Sequence, residues 1–249
     1  MQYGICPLSI VPLREAPAHH SEMTSQLLYG EHFKILEERA KWSRIRVAFD
    51  NFEAWICKQQ LLKIPEEIYD KLEKALPQYS ADLFDFVSDQ TGQLITIPIG
   101  SSLNVRSGLK HQFDGNLISG KKIKSEIVKT ALLYLNSPYT WGGKSPLGID
   151  CSGLTQMVYK LNGYRLERNA AQQATQGEPL SFIEESDAGD LVFFDDQEGI
   201  INHVGIMMKD NYIIHVDGKV RIDRLDHSGI FNAELRKHTH QLRVIKKVI

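Results

Sequence analysis

The chain has 249 residues, 42% of them hydrophobic and 24% charged, so it is long enough to bury one to three ordinary hydrophobic cores. A formal net charge of −2 gives no general attraction to nucleic acid or anionic membranes, and no apolar run approaches the roughly 20 residues of a membrane-spanning helix. Three widely spaced cysteines form neither a disulfide framework nor a CxxC metal motif, and no secretory signal is visible. We therefore expect a cytoplasmic protein with free thiols, no cofactor, no nucleic-acid or membrane partner and no obligate protein partner.

Residues 1–63 alternate short apolar runs with polar turns, which predicts a small β-barrel whose core takes the bulk of Trp42 and Trp55. Residues 64–78 predict a short linking helix between two prolines, because four apolar residues recur at helical spacing. That stripe is Ile68, Leu72, Ala75 and Leu76. Residues 79–122 return to strand-like runs separated by glycines, and we interpret 64–122 as a linker helix followed by a second, irregular β-module.

Residues 123–249 predict an α+β domain. Ser125 is expected to cap a helix that Pro138 ends, and Gly163 is expected to end a second helix. The apolar stripe of the first helix is Val128, Ala131, Leu132 and Leu135, and that of the second is Leu154, Val158 and Leu161. The remainder is predicted as mostly strand, including 191–194, 203–208, 212–216 and 220–225.

Cys151 lies where a turn-rich loop meets the second helical stripe. A thiol at a helix N-terminus faces the positive end of the helix dipole, so we expect a lowered pKa and a stabilised thiolate. The backbone N–H of Cys151 could also bind the oxyanion that forms when a carbonyl is attacked. The other cysteines, Cys6 and Cys57, are interpreted as small buried hydrophobic residues.

Two histidines downstream could supply a base and a group that orients it. If Lys209-Asp210-Asn211 is a hairpin turn, Met208 faces Tyr212, Gly205 faces His215 and His203 faces Asp217. Because side chains alternate along strands, His203 and His215 then share one face as diagonal neighbours. The seven other histidines are assigned structural or solvated roles, namely His19, His20, His32, His111, His227, His238 and His240.

These motifs, in this order, resemble the NlpC/P60 family of cysteine peptidases, which cut bonds in bacterial cell-wall peptides. The matching residues are Tyr139, Trp141-Gly142-Gly143, Asp150-Cys151-Ser152-Gly153-Leu154, Gly189-Asp190-Leu191, His203-Val204-Gly205-Ile206 and His215. The resemblance implies a papain-like catalytic domain over 123–249, and residues 1–63 resemble the SH3-like barrels found ahead of it, with the irregular module as a second SH3-like unit. Among family members, the resemblance is strongest to those that release L-Ala-γ-D-Glu from peptidoglycan-derived peptides.

The expected mechanism is acyl transfer to Cys151 with His203 as the base and His215 as its orienting partner. The resemblance implies a second oxyanion donor at the Tyr139 hydroxyl. It also implies that Asp150 and Ser152 hold the free amine of an N-terminal L-Ala, helped by an acidic group of the SH3-like module, for which Glu22 is the candidate. Trp141, in a glycine-rich loop, is placed to wall the substrate cleft. If the barrel packs over one end of that cleft, the cleft has space for only a short N-terminal part of the substrate peptide.

Other interpretations of the same residues stay open at this stage. Cys151, His203 and His215 could instead be zinc ligands of a metallohydrolase with water in the fourth position. The catalytic domain could be degenerate and only bind cell wall. Asp150 could be no more than a helix N-cap.

Overall fold

The computed structural model describes all residues from Met1 to Ile249. The chain forms two compact units, one of residues 1–120 with 141–146 and the other of residues 121–140 with 147–249. None of the helices combines the length and the apolar character needed to cross a membrane.

The first unit begins with a seven-stranded antiparallel sheet whose strand order is β3-β2-β6-β5-β4-β1-β7. Its strands are β1 (Gln2–Ile5), β2 (Ile10–Arg14), β3 (Met23–Leu28), β4 (His32–Glu38), β5 (Trp42–Val47), β6 (Glu53–Cys57) and β7 (Leu62–Ile64). Alternating side chains such as Phe33, Ile45 and Ile56 fill its core, so the predicted barrel is confirmed. Trp42 and Trp55 are buried as well, but they pack with Cys57 in a separate cluster because smaller side chains already fill the main core.

The rest of the first unit holds short elements. They are α1 (Glu66–Lys74), β8 (Gln78–Ser80), β9 (Phe84–Ser88), β10 (Leu94–Pro98), α2 (Arg106–Leu109), β11 (Leu117–Ser119) and, later in the chain, β12 (Lys144–Ser145). Helix α1 follows Pro65 as predicted, although its one buried residue is Tyr69 and not a member of the apolar stripe. In place of a second barrel, residues 78–119 form two separate two-stranded sheets, β9 with β10 and β8 with β11. Strands this short, interrupted by glycines, offer too few ladder positions to close a sheet.

The segment 141–146 packs within the first unit through a buried charge. Lys144 is 1% exposed and Glu31 is 4% exposed. The Lys144 Nζ lies 3.2 and 3.3 Å from the two carboxylate oxygens of Glu31. The Lys144 backbone N–H also donates to the side chain of Gln26 at 2.8 Å. Gly142 has a φ of +75° and passes so close to the Met23 carbonyl that a side chain there would clash.

The second unit combines three helices with a seven-stranded sheet of order β14-β20-β15-β16-β17-β18-β19. Its elements are α3 (Glu126–Leu132), β13 (Gly148–Ile149), α4 (Cys151–Leu161), α5 (Ala170–Gln173), β14 (Glu178–Leu180), β15 (Leu191–Asp195), β16 (Ile201–Met207), β17 (Tyr212–Asp217), β18 (Lys219–Asp226), β19 (Gly229–Asn232) and β20 (Lys237–Lys247). Strand β20 also pairs with β19, so β15 to β20 close on themselves. The α+β prediction is confirmed.

Helix α3 differs from its prediction. Ser125 stands at the N-cap but makes no side-chain capping bond, and the helix ends at Leu132, before Pro138. Its buried face is Ile127 and Ala131, continued by Tyr134. Leu132 and Leu135 of the predicted stripe are each 40% exposed. The buried residues form a second apolar stripe with the same helical spacing, shifted by one residue toward the N-terminus. Packing in the folded protein buries this stripe and leaves the predicted one partly exposed.

Candidate active site

Cys151 is the first residue of helix α4, as the sequence predicts. Asp150 is the N-cap, and its carboxylate accepts a hydrogen bond from the Gly153 backbone N–H at 2.6 Å. Gly163, in the left-handed region at φ +84°, follows the C-cap of the helix, which confirms the predicted stop. Among the three free cysteines, Cys6 and Cys57 are buried, and Cys151 alone is partly exposed.

The Asp150 carboxylate has a second partner that the sequence analysis missed. Arg168 donates to both of its oxygens, at 2.6 and 3.0 Å, and its guanidinium is 1% exposed. Arg168 also donates to the Ser152 hydroxyl at 3.0 Å. This buried ion pair fixes the start of α4 and therefore the position of Cys151. The predicted contacts of Asp150 and Ser152 with a substrate amine stay predictions.

The thiol of Cys151 contacts the backbone of strand β16 at the residues just before and just after His203. Its Sγ is 4.0 Å from the Asn202 carbonyl oxygen, and the Val204 backbone N–H points toward the sulfur. Burial, followed by the nearby Asp150 carboxylate, raises the pKa of the Cys151 thiol to about 12. The backbone N–H groups of Val204 and Ser152 oppose this rise without overcoming it. The expected lowering of the pKa by the helix terminus is therefore wrong, because burial outweighs it.

Strands β16 and β17 form the predicted hairpin in the predicted register. Gly205 faces His215, and the Met208 N–H donates to Tyr212 at 2.7 Å. The backbone pairing between β16 and β17 extends from Gly205 to Met207, so the expected pairing of His203 with Asp217 is not formed. A side chain at Gly205 would lie 2.6 Å from Ile213 and 3.0 Å from the Cβ of His215, so glycine keeps this pairing close.

The two histidines meet as diagonal neighbours. His203 Nε2 lies 3.0 Å from His215 Nδ1, and their exposed fractions are 7% and 0%. Burial, together with the neighbouring His240 and His215 rings, holds the pKa of His203 well below its ordinary value. His203 is therefore a neutral imidazole at neutral pH.

Asp223 extends this pair into a chain of three groups, which the sequence analysis did not foresee. His215 Nε2 lies 2.9 Å from Asp223 Oδ2, and Arg221 donates to both oxygens of the same carboxylate at 2.6 and 3.0 Å. Burial alone would raise the pKa of Asp223, but the hydrogen bonds from His215 and Arg221 lower the pKa below its ordinary value. Asp223 is thus a carboxylate that accepts hydrogen bonds.

This chain fixes the proton positions on both rings. Because the Asp223 carboxylate only accepts, Nε2 of His215 must carry a proton, which leaves Nδ1 of a neutral His215 as an acceptor. His203 must then donate from Nε2, so its Nδ1 holds the free lone pair. That nitrogen can accept a proton.

A third imidazole, His240, lies against the pair. It comes from β20, which was not among the predicted strands, and its ring stacks on His203 with centroids 4.1 Å apart. One nitrogen from each of His203, His215 and His240 lies within 4.8 Å of the others, so these three side chains could hold a metal ion. Cys151 is not a member of this group, so the zinc-ligand set considered from the sequence is corrected to three histidines. His240, assigned a structural or solvated role from the sequence, thus lies in contact with both histidines of the pair.

The remaining predicted site residues are distributed over the two units. Tyr139 is 44% exposed, and partial burial, then the Asp150 and Cys151 charges, raises the pKa of its hydroxyl. It stays protonated and able to donate to an oxyanion. In the first unit, the indole N–H of Trp141 donates to the Glu22 carboxylate at 2.5 Å. The structure therefore joins these two predicted substrate residues to each other.

The resting protonation state can be tested by alkylation. Because burial raises the pKa of Cys151, the protein should hold a neutral thiol and a neutral His203 at neutral pH. The rate at which iodoacetamide modifies Cys151 should then rise about tenfold per pH unit from pH 6 to 10, with no plateau. Peptide mass spectrometry identifies the labelled cysteine, and free glutathione serves as a control that reaches its plateau in this range. A plateau for Cys151 below pH 7 would show a preformed thiolate–imidazolium pair instead.

A thiol at a helix start lies against the strand that carries His203, and a second histidine and a carboxylate hold the His203 ring in place. This arrangement defines a cysteine peptidase. Residues 136–240 match the model of the NlpC/P60 family, and residues 13–61 match that of the bacterial dipeptidyl-peptidase Sh3 domain. The chain belongs to the NlpC/P60 family.

Relatives match along most of the chain. The γ-D-glutamyl-L-lysine dipeptidyl-peptidase of Bacillus cereus is 35% identical over 233 residues, covering 78% of this chain and 67% of that protein. Dipeptidyl-peptidase 6 of Lysinibacillus sphaericus is 29% identical over 244 residues, covering 84% and 87%. The crystal structure of an NlpC/P60 family protein from Bacillus cereus has the same fold, with a TM-score of 0.79 at 17% identity over 99% of both chains.

Proposed function

We propose that this protein is a cysteine endopeptidase that hydrolyses the bond between γ-D-Glu and an L-diamino acid in peptidoglycan-derived peptides with a free N-terminal L-Ala, and releases L-Ala-γ-D-Glu. The observation that carries the reaction type is the position of the Cys151 thiol beside a strand whose His203 is held by His215 and Asp223. The names of the relatives, dipeptidyl-peptidase 6 and γ-D-glutamyl-L-lysine dipeptidyl-peptidase, support the substrate. The substrates are trimmed tripeptides or tetrapeptides.

Acylation begins when Nδ1 of His203 takes the thiol proton and the sulfur attacks the γ-carbonyl of D-Glu. The Cys151 backbone N–H and the Tyr139 hydroxyl donate to the oxyanion of the tetrahedral intermediate. His203 then gives its proton to the amine of the diamino acid, which leaves. Throughout, His215 accepts from Nε2 of His203 and, through Asp223, stabilises the imidazolium that forms.

Deacylation reverses the roles. Nδ1 of His203, neutral again, takes a proton from water, and the hydroxide attacks the thioester carbonyl. The intermediate collapses to L-Ala-γ-D-Glu, and the proton returns to the sulfur of Cys151. Each cycle consumes one water and restores the neutral thiol and imidazole.

Selectivity for a free amine is the sharpest test of the substrate. Asp150 and Glu22 are the proposed carboxylates near the L-Ala ammonium, and a carboxylate pairs with an ammonium most strongly in a partly dry site. N-acetylation removes the charge of that ammonium and adds bulk. We expect N-acetylation of L-Ala-γ-D-Glu-diaminopimelate to lower kcat/KM by at least about a hundredfold, or about 3 kcal/mol. Release of the dipeptide is followed by chromatography, with and without a chelator, and the activity should persist in the chelator.

The matched control carries its acetyl group on the side-chain amine of diaminopimelate instead. It adds the same bulk and removes one positive charge at the other end of the peptide, and it should lose much less activity. Equal rates for the free and N-acetylated peptides would remove the requirement for a free L-Ala amine.

The proposal includes a cytoplasmic place of action. Selectivity for a free L-Ala suits peptides already cut from the glycan strands, since in intact wall that amine is bonded to the sugar. A reducing compartment also keeps Cys151 as a free thiol. Fractionation of cells that express the tagged protein measures its location directly.

A further inference from the structure

His203, His215 and His240 bring three imidazoles together on the sheet of the second unit. Their ligand nitrogens lie within 4.8 Å of one another. His240 meets the other two rings face-on and edge-on, with centroids 4.1 Å from His203 and 5.7 Å from His215. His203 and His215 are buried, whereas His240 is partly exposed and gives the cluster a path to solvent. The mechanism uses His203 and His215 and assigns no step to His240.

The spacing is near that of a zinc site. Four-coordinate Zn²⁺ with Zn–N bonds of about 2.0 to 2.1 Å holds its nitrogen ligands about 3.3 Å apart. His203 Nε2 and His215 Nδ1 are already 3.0 Å apart, so they need to separate only slightly. His240 must move from its stack to bring its Nε2 into the same shell, because the ligand nitrogens of the three rings now lie within 4.8 Å of one another and not at about 3.3 Å.

The outward nitrogens of two rings already have the partners that metal-binding histidines need. Nε2 of His215 is held by the Asp223 carboxylate at 2.9 Å, and Nδ1 of His240 lies 2.9 Å from the Thr239 hydroxyl. In metal sites, such outer contacts orient the ring and increase its basicity. They leave Nδ1 of His215 and Nε2 of His240 to face the metal.

We propose that these side chains form a three-histidine site for Zn²⁺, and that occupation of this site switches off the peptidase. The second part rests on the proposed function. A neutral imidazole has one lone pair. When Nε2 of His203 gives its lone pair to zinc, the proton of that nitrogen moves to Nδ1, which can then no longer take the proton of Cys151. Zinc also replaces the hydrogen bond between His203 and His215.

Binding is measured separately from activity. Zn²⁺ is titrated calorimetrically into the Cys151→Ala variant, which lacks the thiol that could itself bind metal, and into the same variant with His240→Phe added. Phenylalanine keeps an aromatic ring against His203 but has no ligand nitrogen. Because losing even an outer partner weakens metal binding about tenfold to a hundredfold, we expect His240→Phe to weaken binding at least about tenfold.

Inhibition is measured on the protein with Cys151 in place. Zn²⁺ should inhibit hydrolysis reversibly, and a chelator should restore it. Measured relative to its own activity without zinc, the His240→Phe variant should need at least about tenfold more Zn²⁺ for half inhibition than wild type. His238→Phe is the control, because His238 lies on the same strand, is exposed and pairs with Asp226 outside the cluster. It should behave as wild type in both measurements.

Either of two results would overturn the site. One is zinc binding that disappears with Cys151→Ala, since the metal would then sit on the thiol. The other is binding that His240→Phe and a second variant, His240→Asn, leave unchanged. If wild type hydrolysed no peptide, the proposed function would fail, and the titration would still decide whether the three-histidine site exists.

Discussion

Cys151→Ala should abolish release of L-Ala-γ-D-Glu, with kcat falling at least about a thousandfold. Alanine cannot form the thioester, and the hydroxyl of the neighbouring Ser152 is engaged by hydrogen bonds with Asp150 and Arg168. Folding should be intact, because Cys151 is partly exposed at a helix terminus that the Asp150–Arg168 ion pair fixes independently. The measurements are steady-state hydrolysis and the melting temperature.

Cys57→Ala is the matched control. It removes a buried thiol from the cluster with Trp42 and Trp55, far along the sequence from α4. This variant should retain activity even if its melting temperature falls by a few degrees. A correctly folded Cys151→Ala protein with activity within tenfold of wild type would remove Cys151 from the mechanism, and an inactive wild type would favour a protein that only binds cell wall.

His203→Asn should be more damaging than His215→Asn. Asparagine at 203 has no basic nitrogen and cannot carry a proton, so we expect kcat/KM to fall at least about a thousandfold. At 215, the amide oxygen of asparagine lies near the former Nδ1 position and can still accept from Nε2 of His203, whereas the contact of Nε2 with Asp223 is lost. A loss of about tenfold to a hundredfold is expected there.

The exposed His238→Asn variant controls for the loss of a histidine as such. Both test positions are buried, so the melting temperature of each variant is compared before the kinetics are interpreted. If His215→Asn were the more damaging change at equal stability, His215 would be the base and His203 its orienting partner.

The sequence predicted the parts of the site that depend on local geometry. A turn at Lys209-Asp210-Asn211 and the alternation of strands suffice to place His203 beside His215. The same rule reaches Asp223 if it is extended across the next turn at Gly218, since His215 pairs with Arg221 and Asp223 is the next diagonal neighbour. The sequence therefore carries a signal for Asp223 as well.

Other parts depend on contacts between distant segments. His240 comes to the site because β20 pairs with both β15 and β19 through irregular registers, which no local pattern indicates. Arg168 reaches Asp150 across a loop without a recognisable motif. The raised pKa of Cys151 likewise results from burial by the folded sheet, whereas the sequence shows only the helix terminus that opposes it.

The loop 141–146 limits how these two units can be exchanged during evolution. It lies inside the stretch that matches the peptidase family, yet it packs with the first unit through the buried pair of Lys144 and Glu31. A gene fragment that encodes only residues 123–249 would deprive the Lys144 ammonium of its carboxylate, and breaking a buried pair in this way costs about 3 to 5 kcal/mol. Recombination that joins the peptidase to a different barrel must therefore carry Glu31, or a substitute for it, together with Lys144.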